Sequence, residues 1–542
     1  MNNSSARFSS LPTVDIQRSV FDRSSSLLTT FNAGNIVPIY VDEVLPGDTC
    51  TMDLSTLCRM TTPIFPVMDD AFLDIHFFFV PTRLVWDNSK YFFGEANKAW
   101  ESNVEYQIPH VHVTSSYTLD PGKTRYLSYF GIPIGYEGDI NCLPFRCYEL
   151  IYREWYRDQN LIQPNLVNTG DTETAGGLNT FRLRRCAKYH DYFTSALPSP
   201  QRGDSVVLPL GDLAPVLSCD QYHSYSTAPL NFTGFGSSYA GISSALFDGR
   251  FGGNRADLVG ESVSTGGPGS GTAIYPANLW ANLEDASSVS VNALREAFAV
   301  QRLLEKDARG GSRYRELVKQ HFGVETGDAR VQVPEYLGGR HIPITVNQVV
   351  QQSATNVSDG STPLGNTAAF SKTVDSSSVF TKSFVEHGYI IGLAMVRTKH
   401  TYQQGVNKLF LRKDRFDFYW PSLAYIGEQP ILEAEIYGNS PTPENVFGYQ
   451  EAWADYRYKP NLVTGSFCSD VDGSLDAWHY ADDYDSTPTL GKAWIEETDS
   501  NINRTLAVQS ELADQFLLNC YFKAKWARPM PLYSIPGMRD YF

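Results

Sequence analysis

One short stretch of the sequence combines charges and glycines in a way that could bind a phosphate group. Residues 305–316 read EKDARGGSRYRE, with Gly310 and Gly311 at the centre. A Walker-type phosphate loop needs Lys-Ser or Lys-Thr directly after its last glycine, because the lysine must reach the phosphates. Here Ser312 and Arg313 follow the glycine pair. The stretch therefore predicts a glycine break between two helices and no nucleotide site.

The pair His110 and His112 could bind a metal ion. In the stretch HVH the two imidazoles lie on the same side of a predicted strand, and histidine is a common zinc ligand. Residues 113–121 contain no glutamate that would complete such a site. We therefore expect no metal site, and no motif in the chain predicts an organic cofactor.

Carboxylates mixed with aromatic side chains could form a carbohydrate-cleaving site. Such mixtures occur in YREWYRD (152–158), YQEAWADYRY (449–458) and DAWHYADDYD (476–485). Two carboxylates can act as acid and base in glycoside hydrolysis, but the same mixture also fills large protein–protein interfaces. A glycan-binding or glycan-active β-sandwich enzyme is therefore the alternative to a structural protein without catalytic activity.

Basic residues lie beside aromatic residues in FRLRRCAKYHDYF (181–193) and CYFKAKWARP (520–529). The alternation in the first stretch predicts a strand that carries its basic residues on one face. Single-stranded nucleic acid binds where cations meet phosphates and aromatic rings stack on bases. The candidate nucleic-acid-binding residues are Arg182, Arg184, Lys188, Lys523, Lys525, Trp526 and Arg528.

The elements that must position these side chains are mainly short strands. The chain has 31 Tyr, 31 Phe, 41 Gly and 30 Pro residues, and aromatic-rich strands between turn residues are typical of a β-sandwich or barrel. A Pro-Gly-Asp turn at 46–48 separates two strand-like runs, and FLDIHFFFVP (72–81) predicts a fully buried strand. Apolar spacing predicts interrupting helices at 143–160, 291–307 and 312–323.

Composition also divides the chain into regions. The Ser-rich start predicts an N-terminal arm at 1–30 that gains order only against a partner, followed by one domain at 31–542. Within that domain, residues 211–290 are rich in Gly, Ser, Ala and Asn and lack apolar periodicity, which predicts a displayed surface insertion.

Charge and hydropathy restrict the protein class. The net charge of −16 argues against wrapping of nucleic acid by the whole surface, but it allows a local basic face. The N-terminus has no apolar signal region, and the longest apolar runs are too short to span a bilayer. We therefore expect synthesis in the cytosol and no membrane insertion.

Several long blocks of the sequence occur together in the order that one protein family has. They include TTFNAGNIVPIYVDEVLPGDT, TPIFPVMDDAFLDIHFFFVPTRLVWDN, EKDARGGSRYRELVKQHFGV, SFVEHGYIIGLAMVR, TYQQGVNKLFLRKDRFDFYWPSLAYIGEQPI and WARPMPLYSIPG, and they cover most of the chain outside 211–290. In these blocks the sequence resembles the major capsid proteins of gokushoviruses, the small single-stranded DNA bacteriophages of the Microviridae.

This resemblance implies a fold and a function. The implied fold is mainly β, an eight-stranded antiparallel jelly-roll barrel with long loop and helical insertions. The implied protein is not an enzyme but a capsid subunit, made in the bacterial host cytoplasm and located in the virion. Many copies would form a T=1 icosahedral shell around a circular single-stranded DNA genome. Further implied partners are a small basic DNA-binding virion protein, a pilot or minor spike protein and, where closure needs one, a scaffolding protein.

The insertion at 211–290 has an implied role of its own. In the resembled family the comparable insertion rises as a protrusion at the threefold axes, and loops on a rigid scaffold often carry recognition. We therefore predict contact with a host-cell surface receptor through the stretch NFTGFGSSY (231–239), whose aromatic residues could stack on sugars. The candidate receptor-binding residues are Asn231, Phe232, Phe235 and Tyr239.

Overall fold

The structure, a computed structural model, divides into two units. One unit comprises residues 1–202 and 305–542, and the other comprises residues 203–304. The structure describes residues 17–96, 106–114, 121–173, 181–206, 216–218, 232–234, 274–276, 279–281, 291–352, 365 and 367–533.

The described residues form mainly β-strands. In chain order, β1 to β21 are Ser19–Asp22, Ser25–Phe31, Val37–Val44, Thr49–Met60, Ala71–Pro81, His110–Val113, Gly138–Asn141, Val216–Ser218, Phe232–Gly234, Ile274–Pro276, Leu279–Ala281, Glu335–Pro343, Val346–Val350, Thr367–Ser371, Thr373–Ser383, Gly388–Thr398, Thr401–Tyr402, Glu428–Leu432, Val446–Glu451, Asn461–Leu462 and Phe516–Arg528.

The helices are shorter in total than the strands. The α-helices are Ser89–Phe92, Pro121–Tyr129, Leu143–Ile151, Val291–Gly310, Tyr314–Phe322, Lys408–Leu411, Glu433–Ile436, Ala454–Arg457, Lys492–Ile495 and Ser500–Asn503. A π-helical turn, Tyr152–Tyr156, extends the Leu143–Ile151 helix. No helix within the described ranges is both long enough and apolar enough to cross a membrane.

Two antiparallel sheets form the centre of the larger unit. In the five-stranded sheet the order is β1, β21, β4, β15, and β2 also pairs with β21. In the four-stranded sheet the order is β12, β5, β16, β3. Successive long strands from β2 to β5 alternate between the two sheets, which is the strand order of a jelly roll. The predicted mainly β, antiparallel fold is therefore confirmed.

The four-stranded sheet is buried on both faces. On β5, Phe77 and Phe79 face the core between the two sheets, whereas Phe78 and Val80 face a second core. The Leu143–Ile151 helix covers that second core, and nearly all of its residues are buried. Burial on both faces explains why this strand reads as an unbroken apolar run instead of an alternating one.

The five-stranded sheet is buried on one face only. Along β21 every second residue from Phe516 to Trp526 is buried, and the residues between them are exposed. The same alternation runs along β4 at Thr49–Met60. Its inner face packs on the four-stranded sheet, and its other face is accessible.

Part of the predicted N-terminal arm belongs to this sheet. Strands Ser19–Asp22 and Ser25–Phe31 pair with β21 inside the same chain, so these residues are ordered without a partner subunit. The sequence did not indicate these two strands because the alternation of apolar and polar residues is weak in a Ser-rich stretch. In addition, their partner strand β21 lies about 500 residues later in the sequence. Residues 1–16 lie outside the described residues.

The predicted turn and helices are confirmed. Gly47, at φ 92°, lies in the turn between β3 and β4. The Val291–Gly310 helix ends at the glycine pair, and Gly311, at φ 94°, turns the chain towards the Tyr314–Phe322 helix. These positive φ angles are in the region that glycine adopts without steric cost.

A buried ionic cluster joins the long segments that surround the sheets. Asp482 accepts hydrogen bonds from Lys188 Nζ at 3.2 Å and from Asn501 Nδ2 at 2.6 Å. His400 lies between two carboxylates, with Nδ1 3.1 Å from Asp482 and Nε2 3.0 Å from Glu497. Because all five side chains are buried, each charge needs the others to offset its lost hydration.

This arrangement shifts the pKa values of the cluster. Burial alone would lower the pKa of His400, but the carboxylates of Asp482 and Glu497 outweigh burial and raise it to about 10. Burial alone would raise the pKa of Asp482, but Lys188 and His400 outweigh it, and the pKa falls well below its usual value. The folded protein therefore holds a protonated imidazole beside ionised carboxylates.

We predict that His400 makes stability depend on pH. A group whose pKa rises on folding contributes fully below its unfolded pKa, near 6.5, and loses that contribution as the pH rises towards about 10. His400→Gln should lower the free energy of unfolding at pH 6 by about 3–5 kcal/mol, because it leaves the buried Glu497 without a cation and Asp482 with Lys188 alone. Urea unfolding at pH 6, 8 and 9, followed by tryptophan fluorescence, measures both effects.

The difference between the two proteins is the decisive quantity, because other groups also titrate above pH 8. The destabilisation caused by His400→Gln should shrink as the pH rises from 6 to 9. A difference that stays constant over this range would contradict the assignment of a protonated His400.

Candidate nucleic-acid interface

The accessible face of the five-stranded sheet is a broad, regular surface of the larger unit. We call it the exposed sheet face. Its outward residues are Val20, Asp22, Ser26, Leu28, Thr30, Thr49, Thr51, Asp53, Ser55, Leu57, Arg59, Val374, Ser376, Ser378, Thr381, Ser383, Leu517, Asn519, Tyr521, Lys523 and Lys525. Hydroxyl groups, a few aliphatic side chains and scattered charges make this face polar but not strongly acidic.

Three outward residues of β21 combine cations with an aromatic ring. Tyr521, Lys523 and Lys525 are exposed and follow one another at the spacing of two residues that keeps them on one face. Their neighbours in the register on β4 are Ser55, Asp53 and Thr51. Because small residues surround it, Tyr521 is accessible to a planar ligand.

The two lysines on this face are weakly held. Lys523 Nζ lies 3.7 Å from Asp53 Oδ2, and both side chains are about half exposed; a surface pair of this kind contributes little. Lys525 lies opposite Asp22 in the register. The pKa of Asp22 is lowered mainly by the hydrogen bond from Ser24, with smaller contributions from Lys525 and Lys523. Both ammonium groups can therefore exchange their present neighbours for a phosphate.

Trp526 and Arg528 have a different position from that predicted. Trp526 is fully buried in the core between the sheets, so it cannot stack on a base. Arg528 stacks over the Trp526 ring at 4.4 Å, and its Nε lies 3.2 Å from the buried carboxylate of Asp48. The prediction missed Tyr521, although the alternation in CYFKAKWARP places Tyr521, Lys523 and Lys525 on one face and Trp526 on the other.

The cluster at 181–193 does not form the predicted strand face. The segment forms two isolated bridges, Arg185 with Asn35 and Ala187 with Glu496, and is part of no strand. Arg184 Nη2 donates to Glu149 at 2.7 Å, and Lys188 binds the buried Asp482. The apparent strand alternation therefore reflects internal ion pairs, and of the three basic residues Arg182 alone is exposed.

The candidate receptor-binding residues remain untested by the structure. Asn231, Phe235 and Tyr239 lie outside the described residues. Phe232 begins β9, which pairs antiparallel with Ile274–Pro276 in the smaller unit.

The histidine pair lies at the edge of a two-stranded sheet. His110 and His112 are exposed on β6, and His112 Nδ1 lies 2.7 Å from Asp139 Oδ1 on the neighbouring strand. Among the described residues, no group of three or more potential ligands is arranged to hold a metal ion.

A cavity of about 590 Å³ lies beside the Gly310-Gly311 pair, and aromatic residues including Trp155 line it. Its carboxylates include Asp158 and Glu316. Asp158 accepts backbone hydrogen bonds from residues 160 and 161, and Glu316 is bound by Gln159 and Arg313. Both carboxylates are thus already bound by neighbouring groups, and neither resembles the free acid and base that glycan hydrolysis requires.

Comparison with known proteins agrees with the blocks seen in the sequence. The family described as capsid protein (F protein) matches residues 9–538. Capsid protein VP1 of Chlamydia phage 1 is 40% identical, aligned over 98% of both chains. VP1 of Bdellovibrio phage phiMH2K is 40% identical over 98% of this chain and 97% of its own length. VP1 of Spiroplasma virus 4 is 39% identical over 97% of this chain and 96% of its own length.

These matches extend through both sheets and through the segments that connect them. The predicted relationship is therefore confirmed: the chain belongs to the capsid protein (F protein) family and is a structural, non-enzymatic capsid protein of the gokushovirus type within the Microviridae.

Proposed function

We propose that copies of this chain form a closed T=1 icosahedral shell whose interior is lined by the exposed sheet face. The observation that carries the proposal is the row Tyr521, Lys523 and Lys525 on a face otherwise made of hydroxyl-bearing, aliphatic and scattered charged side chains. The strand presents this row on hydrogen-bonded backbone, so that phosphates can approach the lysines while a base stacks on the tyrosine ring. The genome that this face contacts is circular single-stranded DNA.

The charge of the subunit limits how much of the genome it can neutralise. Each copy carries a net charge of −16, and only a few cations lie on the exposed sheet face. Local lysines can position a DNA segment, but most phosphates need another source of positive charge. We therefore include a small basic DNA-binding virion protein as a partner, together with a pilot or minor spike protein and, for shells that do not close alone, a scaffolding protein.

The smaller unit supports a role in host attachment. Residues 203–304 form a unit of their own, which contains the Gly- and Ser-rich insertion predicted at 211–290. A unit separate from the sheets can vary without disturbing the jelly roll. We therefore place the contact with the host-cell receptor in this unit, at residues 231–239.

We predict that the lysines and the tyrosine of β21 contribute to DNA binding in different ways. Replacing Lys523 and Lys525 by Gln should reduce the magnitude of the slope of log Kobs against log salt by about 0.7 per lysine. The reason is that DNA binding to the variant neutralises fewer phosphates and therefore releases fewer counterions. Tyr521→Ala should weaken binding by about 1–3 kcal/mol through lost stacking while leaving the slope unchanged. Fluorescence titration of single-stranded DNA over a salt series measures both quantities.

The matched control replaces Lys399 and Lys492 by Gln, which changes the net charge equally at two half-exposed lysines that do not belong to the exposed sheet face. This control should leave the slope nearly unchanged. Equal slopes for the wild type and the Lys523/Lys525 variant would show that DNA binds elsewhere.

We predict that the smaller unit is needed for attachment and dispensable for assembly. Replacing residues 231–275 by a short Gly-Ser linker should leave shells intact and abolish adsorption, because this segment is expected to carry the receptor contact. Electron microscopy checks the shells, and the fraction of particles removed from solution by host cells measures adsorption. A second variant keeps the length of the segment and replaces only the four candidate residues Asn231, Phe232, Phe235 and Tyr239 by alanine. Failed assembly would make the segment structural, and unchanged adsorption would locate the receptor site elsewhere.

A further inference from the structure

A second surface of the larger unit exposes far more aromatic area than a soluble subunit normally shows. Residues 409–426 are rich in large apolar side chains that protrude from the fold. Tyr425 is 97% exposed, and Phe410 is 75% exposed. We call this surface the aromatic platform; its residues are Phe410, Phe416, Phe418, Tyr419, Trp420, Tyr425 and Tyr456.

The size of the platform matches that of a protein interface. At about 200 Å² for each fully exposed aromatic side chain, the accessible parts of these seven residues amount to roughly 900 Å². Each partner in a standard interface contributes ~800 Å², so the summed exposure of these side chains is enough for one side of such a contact. Aromatic residues and arginine are also the residue types enriched at interface centres.

The platform is rigid before it meets a partner. Trp420 Nε1 donates to the carbonyl oxygen of Arg415 at 3.0 Å. Asp417 accepts hydrogen bonds from the backbone N–H groups of residues 413 and 414, at 2.7 and 2.8 Å. Arg412 stacks on Phe418 at 5.4 Å and on Tyr456 at 4.4 Å. A preorganised surface loses little conformational entropy when it binds.

A buried residue with a strained backbone packs against the platform. Trp453 is buried and has φ 64°, which is costly for a bulky side chain. Its Nε1 donates to the carbonyl oxygen of Leu423 at 2.9 Å, and its ring packs edge-on against Tyr419 at 5.7 Å. Backbone strain of this kind persists where the surrounding structure fixes it, and it is concentrated at functional surfaces.

The charges around the platform argue against nucleic acid as its occupant. Arg412 is paired with Asp455, Lys413 with Glu444 at 3.5 Å, and Lys408 with Glu435 at 3.5 Å. Arg412 and Lys408 are held by largely buried carboxylates, so they offer little counterion release to a polyanion. Of the other cations, Lys413 has only a weak exposed pair, and Arg415 stacks on the Trp420 ring at 4.8 Å. A surface whose aromatic area is large and whose available charge is small is suited to another protein surface.

We propose that the aromatic platform is the contact through which one subunit binds a second copy of this chain, an inference that rests on the proposed self-assembly. A capsid subunit meets mainly copies of itself, and closed shells are built by repeating the same contacts between identical chains. Burying the platform removes the aromatic area from water at each of these contacts.

The test compares self-association of the full-length wild type with that of two variants. The first is Phe410→Ser combined with Tyr425→Ser, whose rings have no ring partner among the described residues. The matched control is Leu166→Ser, which removes an equally exposed apolar side chain outside the platform. Circular dichroism first establishes that each variant unfolds at the wild-type midpoint, and sedimentation velocity over a concentration series then measures association.

We expect the platform variant to require roughly 30-fold higher concentration to associate, which corresponds to the loss of about 2 kcal/mol for truncated aromatic anchors. The control should associate as the wild type does. Wild-type association by the platform variant, or an equal loss in the control, would overturn the inference and leave the proposed shell intact.

Two further outcomes separate the alternatives. A wild-type chain that remains monomeric would overturn the proposed self-assembly and with it the inference. Unchanged association with weaker binding of single-stranded DNA by the platform variant would identify the platform as a nucleic-acid surface and would also overturn the inference.

Discussion

The structure depends on the unequal burial of its two sheets. The four-stranded sheet is covered by the five-stranded sheet on one side and by the Leu143–Ile151 helix with its flanking segments on the other. The five-stranded sheet is covered on one side only, so its strands alternate between buried and accessible residues. The fold therefore provides one broad surface of regular backbone, on which side-chain positions are fixed by strand register.

Long segments outside the sheets are held by internal charge pairs. The cluster around Asp482 connects segments that are far apart in the sequence, and Asp74 does the same where Arg397 and Tyr189 meet it on the second face of the four-stranded sheet. Several arginines and lysines that could otherwise bind an anionic ligand are engaged in these internal ion pairs. Fewer cations therefore remain for the exposed sheet face.

Local patterns in the sequence predicted much of this fold, and non-local contacts account for the rest. Period-two alternation assigns Lys523 and Lys525 to the face opposite Trp526, so this part of the site could have been read correctly from the sequence. Lys188 could not, because Asp482, its partner, lies 294 positions away and nothing near Lys188 indicates that it is buried. Non-local pairing also explains why β1 and β2 were predicted as part of an arm: their Ser-rich sequence shows little alternation, and their partner strand is distant in the sequence.

The position of β21 has a consequence for how the subunit is made. This strand lies between β4 on one side and β1 and β2 on the other, yet it is synthesised after every other strand of the two sheets. The first strands to leave the ribosome must wait for the last one before they can pair, which makes folding dependent on contacts of very high sequence separation. A chain that ends before residue 516 lacks the strand that joins β1 and β2 to β4, so it cannot complete the five-stranded sheet.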